Sequence, residues 1–257
     1  MKDNEWIVIG EDPRLATCCT MLEERGYNCH HIATNQYTEQ VGESIIRLSP
    51  KHVIFPILQL TGTLPVALFA EGTRLYTGVT SEEWRKPFED AGLRVHSYVK
   101  DESFIWQNAK LTAEAFVHEY YARVKRQMAG NHFKVAGFGK VGKMTAHVLA
   151  ALGAHVTVVA RSITQLSEAA ALGYEIELLT ADFDLVAGNL VNTIPAQWLA
   201  INTNPELHIF DLASAPGCLK EPLSSEYYTV LLGLPGKHFP IDAAAILTDT
   251  VEGMSRK

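Results

Sequence analysis

Residues 133–142 read FKVAGFGKVG, and no other stretch restricts the fold as tightly. The apolar run 133–137 reads as a strand. It leads into Gly137-x-Gly139-x-x-Gly142, then into a helical pattern over 143–152 closed by Gly153, then into a second strand over 155–160. Strand, glycine turn, helix and strand in this order form the context of a dinucleotide-binding fingerprint. Gly137 permits the tight turn. Gly139 has no Cβ, so the backbone can approach a pyrophosphate. Gly142 lets helix and strand pack closely, and Phe138, Lys140 and Val141 line the same turn. The helix N-terminus offers unpaired N–H groups and a favourable dipole to the phosphates.

The residue that meets the adenosine ribose lies about 20 positions beyond such a fingerprint. An acidic residue there accepts from both ribose hydroxyls and repels a 2′-phosphate. This chain has Ala160-Arg161-Ser162 instead. A guanidinium pairs bidentately with phosphate and stacks on adenine, and Ser162 adds a hydroxyl donor. NADP(H) is therefore the expected cofactor, with NAD(H) left open.

The rest of the chain alternates strands and helices, which predicts parallel α/β architecture. Strands are expected over 6–10, 28–32, 51–58, 75–78 and 94–98, with helices over 13–25, 38–48 and 81–91. An uncharged turn, 61–63, ends in Thr63. Residues 109–128 form one helical pattern without Gly or Pro. Val117, Tyr121, Val124 and Met128 share a face that Phe116 and Tyr120 widen. The fold class read from this is α/β: two Rossmann-like domains with parallel sheets. The expected division is an N-terminal substrate domain (1–105), a connecting helix (106–129), a cofactor domain (130–238) and a C-terminal helix (239–257) returning to the first domain.

Beyond the fingerprint, three predicted strand ends deliver small or turn-forming residues. They are Asn192-Thr193-Ile194-Pro195, then 213–217 (ASAPG) after LHIFDL, then 233–236 (GLPG). Ligands bind at the carboxyl edge of open α/β sheets, so these turns are expected to form one wall of a cleft. The bulk numbers exclude other classes. A net charge of −7 disfavours nucleic acid. No stretch reads as a signal peptide or membrane span. Cys18, Cys19, Cys29 and Cys218 have no metal-site spacing, and His118-Glu119 lacks the second histidine of a zinc HExxH. A cytoplasmic protein without metal is expected.

Taken together, VAGFGKVGKMTAHVLAALGAHVTVVARS, VNTIP, FDLASAPG and GLPG resemble the dipicolinate synthase A family of bacteria. QNAKLTAEAF is similar to that family's Asn-Ser-Ile-Pro-Thr-x-Glu-Gly segment, with Asn108, Thr112 and Glu114 matching. The resemblance is clearest over residues 104–247. It implies an NAD(P)-dependent enzyme of sporulation that oxidises dihydrodipicolinate to dipicolinate, partnered by the flavoprotein-like B component of the synthase. It also implies two Rossmann-like domains arranged as in the D-2-hydroxyacid dehydrogenases; assembly as a homo-oligomer is expected. The roles that follow put Asn192, Thr193, Ile194 and Pro195 beside the nicotinamide ribose. Glu114 and Asn108 become the catalytic candidates. Thr63, Thr112, Ser214, Gly217, Leu234, Pro235 and Gly236 fall on the substrate side.

Two departures stand out. The family's Asp-Leu-Ala-Ser-Arg-Pro-Gly-Gly has Ala215 in place of its arginine and Cys218 in place of its last glycine. The lost arginine is a natural partner for a substrate carboxylate. Two alternatives stay open. One is a D-2-hydroxyacid dehydrogenase, with His238 moving the proton. The other is a nucleotide-binding protein without catalysis of its own.

Overall fold

The computed structural model describes residues 5–183, 185, 187–201, 207–221 and 227–256. The chain runs β1 (Glu5–Ile9), α1 (Pro13–Glu24), β2 (Asn28–Ile32), α2 (Glu39–Leu48), β3 (His52–Ile54), β4 (Arg74–Thr77), α3 (Glu82–Asp90), β5 (Arg94–Ser97) and α4 (Glu102–Val124). It continues with β6 (His132–Ala136), α5 (Lys140–Ala151), β7 (His155–Ala160), α6 (Ile163–Ala171), β8 (Glu175–Leu178), β9 (Gly188–Asn192), β10 (Leu207–Asp211), β11 (Tyr228–Val230), α7 (Leu234–His238) and α8 (Pro240–Ser255). These residues form two compact units, 1–108 with 236–257, and 109–235.

The first unit holds a five-stranded sheet in the order β2-β1-β3-β4-β5, with every pair parallel. This is the order of one common doubly wound fold. Its central strands are apolar along their length because helices cover both faces. Trp6, Ile7, Val8 and Ile9 are fully buried. Caps set the helix starts: Asp12, Thr38 and Ser81 each accept a backbone N–H of the turn they precede. The strand expected over 51–58 stops at Ile54. Phe55 donates from N to Tyr76 O, Pro56 has no N–H to give a ladder, and pairing resumes only as an isolated bridge between Leu58 and Val79.

The C-terminal helix α8 packs against α1 within this unit. Leu247 and Val251 join Trp6, Leu15 and Leu22 in one core cluster. Arg25 clips the rim, reaching Asp249 and Glu252 at 2.6 Å each. Leu247 is 3% exposed, so Leu247→Ala is expected to cost about 2–3 kcal/mol. Urea unfolding monitored by tryptophan fluorescence measures it, and an unchanged midpoint contradicts this packing.

The second unit holds six parallel strands in the order β11-β10-β9-β6-β7-β8. Counted from β6, this is the 3-2-1-4-5-6 order of dinucleotide-binding sheets, reversed end to end. Among the described residues no helix is long and apolar enough to cross a membrane.

Helix α4 differs from its expected form at both ends and on its face. It begins earlier because Asp101 accepts from Phe104 N at 3.0 Å and caps it. It ends at Val124, and Lys125 turns into left-handed backbone at φ 54°. The buried stripe is Ala109, Thr112, Ala113, Phe116 and Tyr120, whereas Tyr121 is 43% exposed. Rings on the sheet select that face: Phe116 meets Phe210 edge-on at 5.3 Å, and Tyr120 lies 5.2 Å from Phe133. GLPG is also not a simple turn. Leu234 and Pro235 open the short helix α7, where proline's missing N–H costs nothing.

Candidate nucleotide-binding site

Strands β6 and β9 are neighbours, yet the chain leaves β6 toward β7 on one side and reaches β9 on the other. Such a reversal opens a crevice at the carboxyl ends of the strands. The residues there are Gly137, after β6, and Thr193, after β9. Gly137 has φ +90°, and a Cβ on it would lie 2.6 Å from Thr193 Oγ1. A Cβ on Gly142 would lie 2.1 Å from Gly137 O. These two glycines are therefore required by backbone conformation and by close packing. Gly139 differs, since a Cβ there would meet nothing within 4 Å. The turn is closed toward the sheet and open at Gly139.

Gly139 is also the N-cap residue of α5, with no side-chain cap bond. Helices α1, α2, α3 and α6 are capped by Asp12, Thr38, Ser81 and Ser162. The first-turn N–H groups of α5 thus remain available to an anion, with the helix dipole behind them. A cradle without a Cβ and an uncapped helix start fit a diphosphate. Thr193 braces the turn from behind: its Oγ1 donates to Ala136 O at 2.8 Å and its N to the same oxygen at 2.9 Å. Phe138 is 1% exposed and packs on Tyr174, so only its backbone lines the turn. Lys140 and Val141 are half-buried in the first turn of α5.

Arg161 sits one strand away, just beyond β7, and is exposed. Among the described residues, no hydrogen bond or ion pair holds its guanidinium. Ser162 is exposed, and its Oγ accepts from Gln165 N at 3.4 Å, which leaves the hydroxyl proton free to donate.

Asn192 behaves differently from a ligand-facing residue. Its Nδ2 donates to Ile194 O (3.0 Å) and Asp211 Oδ1 (2.8 Å). Its Oδ1 accepts from Ile194 N and Trp198 Nε1, both at 3.1 Å. All four hydrogen-bonding sites of the amide are used, so Asn192 shapes the turn that presents Thr193, Ile194 and Pro195. Ile194 is half-buried and Pro195 exposed.

The hub beside it is Asp211, at the end of β10 and fully buried. Asp211 Oδ1 accepts from Asn192 and from Ala213 N (3.0 Å); Oδ2 accepts from Cys218 N and Tyr228 OH, both at 2.7 Å. Burial, with this carboxylate adjacent, pushes the Cys218 thiol and the Tyr228 phenol above their ordinary ranges. Both stay protonated. Sequence reasoning did not single out Asp211. The available signal was a carboxylate closing an apolar strand just before small turn residues, the place where such side chains tie down backbone N–H groups.

This loop leaves Ser214 and Ala215 exposed and Gly217 buried. A Cβ on Gly217 would lie 2.7 Å from Tyr228 OH, so this glycine seals the hub. Of the other expected site residues, Thr112 is buried and Glu114 exposed on α4, and Leu234 and Pro235 are buried. All of these belong to the second unit. Thr63, Asn108 and Gly236 belong to the first. There, a Cβ on Gly236 would lie 2.6 Å from Arg14 Nε.

Fold and turn together define a protein of doubly wound α/β class, with a Rossmann-type dinucleotide fingerprint on its second sheet. No family model matches the chain. In sequence it resembles the dipicolinate synthase A protein of Bacillus subtilis, at 30% identity over 131 residues. That match covers 48% of this chain and 44% of the relative, less than half of the relative's length. Over its whole length the chain shares the fold of the crystal structure of that B. subtilis protein. The TM-score is 0.79 at 20% identity, covering 99% of this chain and 96% of that one. It also shares the fold of Salmonella D-lactate dehydrogenase, at TM-score 0.60 and 12% identity, covering 98% and 96%.

Proposed function

We propose that the chain is an NADP(H)-dependent oxidoreductase of the dipicolinate synthase A type, acting on dihydrodipicolinate or a related cyclic carboxylate. The observation that carries this is the open, uncapped glycine turn at 137–142 with an arginine one strand away that has no partner among the described residues. The first-turn amides of α5 bind the diphosphate. Arg161 pairs with the 2′-phosphate, and Ser162 donates to it. Thr193 and Pro195 border the nicotinamide end, held in place by Asn192 and Asp211. The nicotinamide itself supplies the hydride acceptor, a capacity no side chain has.

Glu114 and Asn108 are the proposed acid/base and orienting groups, with Thr112 on the same helix. Ser214 and Thr63 are proposed substrate contacts. The sequence similarity to dipicolinate synthase A supports this substrate class, a flavoprotein-like partner (the synthase B component), assembly as a homo-oligomer, and a cytoplasmic place in sporulation. Ala215 means that any substrate carboxylate is met by a group other than the family's arginine.

Titrating NADPH and NADH against the purified protein, followed by ligand fluorescence, tests the cofactor. NADPH is expected to bind more tightly. Arg161→Ala should weaken NADPH about 10- to 100-fold and leave NADH unchanged, as loss of a charge-assisted pair predicts. Equal losses for both nucleotides would remove Arg161 from the ribose end. Turnover of dihydrodipicolinate, with and without the flavoprotein-like partner, tests the reaction. A second reading, a nucleotide-binding protein without its own chemistry, draws on Ala215 and on Asp211 and Gly217 being spent inside the loop. Nucleotide binding without turnover in either mixture would select it.

A further inference from the structure

The opposite edge of the second sheet carries a cavity of about 420 Å³. It lies where β6, β9 and β10 begin, and these three strands are neighbours. The volume is in the range of pockets that hold small ligands. Tyr120 and Val124 line it from α4, Arg126 and Asn131 from the connection into β6, and Asn189 and His208 from the strand starts.

These side chains share a chemistry. Tyr120 is only 1% exposed, yet it lines the cavity, and among the described residues its hydroxyl has no hydrogen-bond partner. Burial raises the Tyr120 phenol above its ordinary range, so it remains a donor. Arg126 is exposed, and no ion pair among the described residues holds it. His208 also has no hydrogen-bond partner among them, and burial, then Arg126, hold its imidazole below the usual histidine range. Asn131 Nδ2 and Asn189 Nδ2 each spend one donor within the fold, to Gln127 O at 2.7 Å and His132 O at 3.2 Å. No carboxylate is among the described lining residues.

The Tyr120 hydroxyl opens into the cavity, where it can donate to an occupant. The same cavity presents the Arg126 cation and, among the described residues, no anion. The Tyr120 ring and Val124 add an apolar wall. We infer that this cavity binds a small organic carboxylate, its oxygens held by Arg126 and Tyr120 and its apolar body resting on Val124. The site lies on the edge away from the glycine turn, so its occupant is distinct from the nucleotide and fits an effector. The inference does not depend on the identity of the nucleotide or of the reaction.

Isothermal titration of the full chain with benzoate, and in parallel with inorganic phosphate, tests it. Benzoate is expected to saturate one site on the wild-type protein. Arg126→Gln should weaken benzoate about tenfold or more, and Tyr120→Phe several-fold, with NADPH affinity unchanged in both. Arg126 is solvent-facing and Tyr120→Phe keeps the ring, so both variants retain the fold, which circular dichroism verifies. Three results each overturn the inference: no saturable benzoate binding, benzoate affinity indifferent to Arg126, or phosphate binding as well as benzoate through Arg126.

Discussion

Gly142→Ala is expected to weaken NADPH binding by about 100-fold or more, the effect of roughly 3 kcal/mol of displacement at the turn. The added Cβ would sit 2.1 Å from Gly137 O and 2.9 Å from Gly137 C. Both are backbone atoms of the same turn, so no side chain can swing away to make room. Either α5 withdraws from β6, or the turn at 137–139 unwinds. In both cases the first-turn N–H groups lose their common focus, which is what an anion site at a helix start requires. Gly253→Ala is the matched control. Gly253 lies in α8, and a Cβ there would meet nothing within 4 Å. It is expected to leave binding untouched and to stabilise the helix by up to about 1 kcal/mol. Nucleotide titration of the two variants, with circular dichroism to verify folding, measures the difference. Wild-type affinity in Gly142→Ala would mean that the nucleotide does not sit on this turn.

Asp211→Asn is expected to cost about 3–5 kcal/mol, despite changing only one atom type. Each carboxylate oxygen accepts two bonds: Asn192 Nδ2 and Ala213 N on one side, Cys218 N and Tyr228 OH on the other. An amide can offer only one oxygen to such a set. Its NH₂ must face two donors, and a buried donor against a donor forfeits both bonds and adds repulsion. Flipping the amide only exchanges which pair is lost. Asn192 and the loop after Asp211 should loosen together, because one side chain anchors both. Chemical denaturation read by tryptophan fluorescence is the measurement, and Trp198, which donates to Asn192, lies close to the event. Asp211→Asn with an unaltered midpoint would show the network to be dispensable.

Much of the fold is legible in the order of the residues. The glycine spacing at 137, 139 and 142 specifies strand, turn and helix: Gly137 and Gly142 fail sterically with a side chain, and Gly139 leaves the turn open to a ligand. A strand run such as WIVI is apolar on both faces, as a doubly covered parallel sheet requires. The similarity to dipicolinate synthase A is likewise visible in short motifs around that turn. The missed features share a different cause. On α4 the sequence offers one wide apolar face, with Val117, Tyr121 and Val124 at its centre and Phe116 and Tyr120 at its side. Periodicity cannot say which part of so wide a face meets the sheet. The rings of Phe133 and Phe210 decide it, and Phe210 is distant along the chain.

Asn192 illustrates the same limit within the site. Its place at a strand end suggests a ligand contact. Whether its amide faces outward or inward depends on Asp211 and Trp198, which reach it through sheet order and loop closure. Local stereochemistry settled the elements, their parallel sense and the anion-ready turn, since those follow from neighbours within a few residues. Which polar groups remain free for a ligand, and which are consumed holding the loop, depended on contacts between strands far apart in the chain. A hydrogen bond spent inside the fold cannot also be offered outward, and only the packed molecule shows where each was spent.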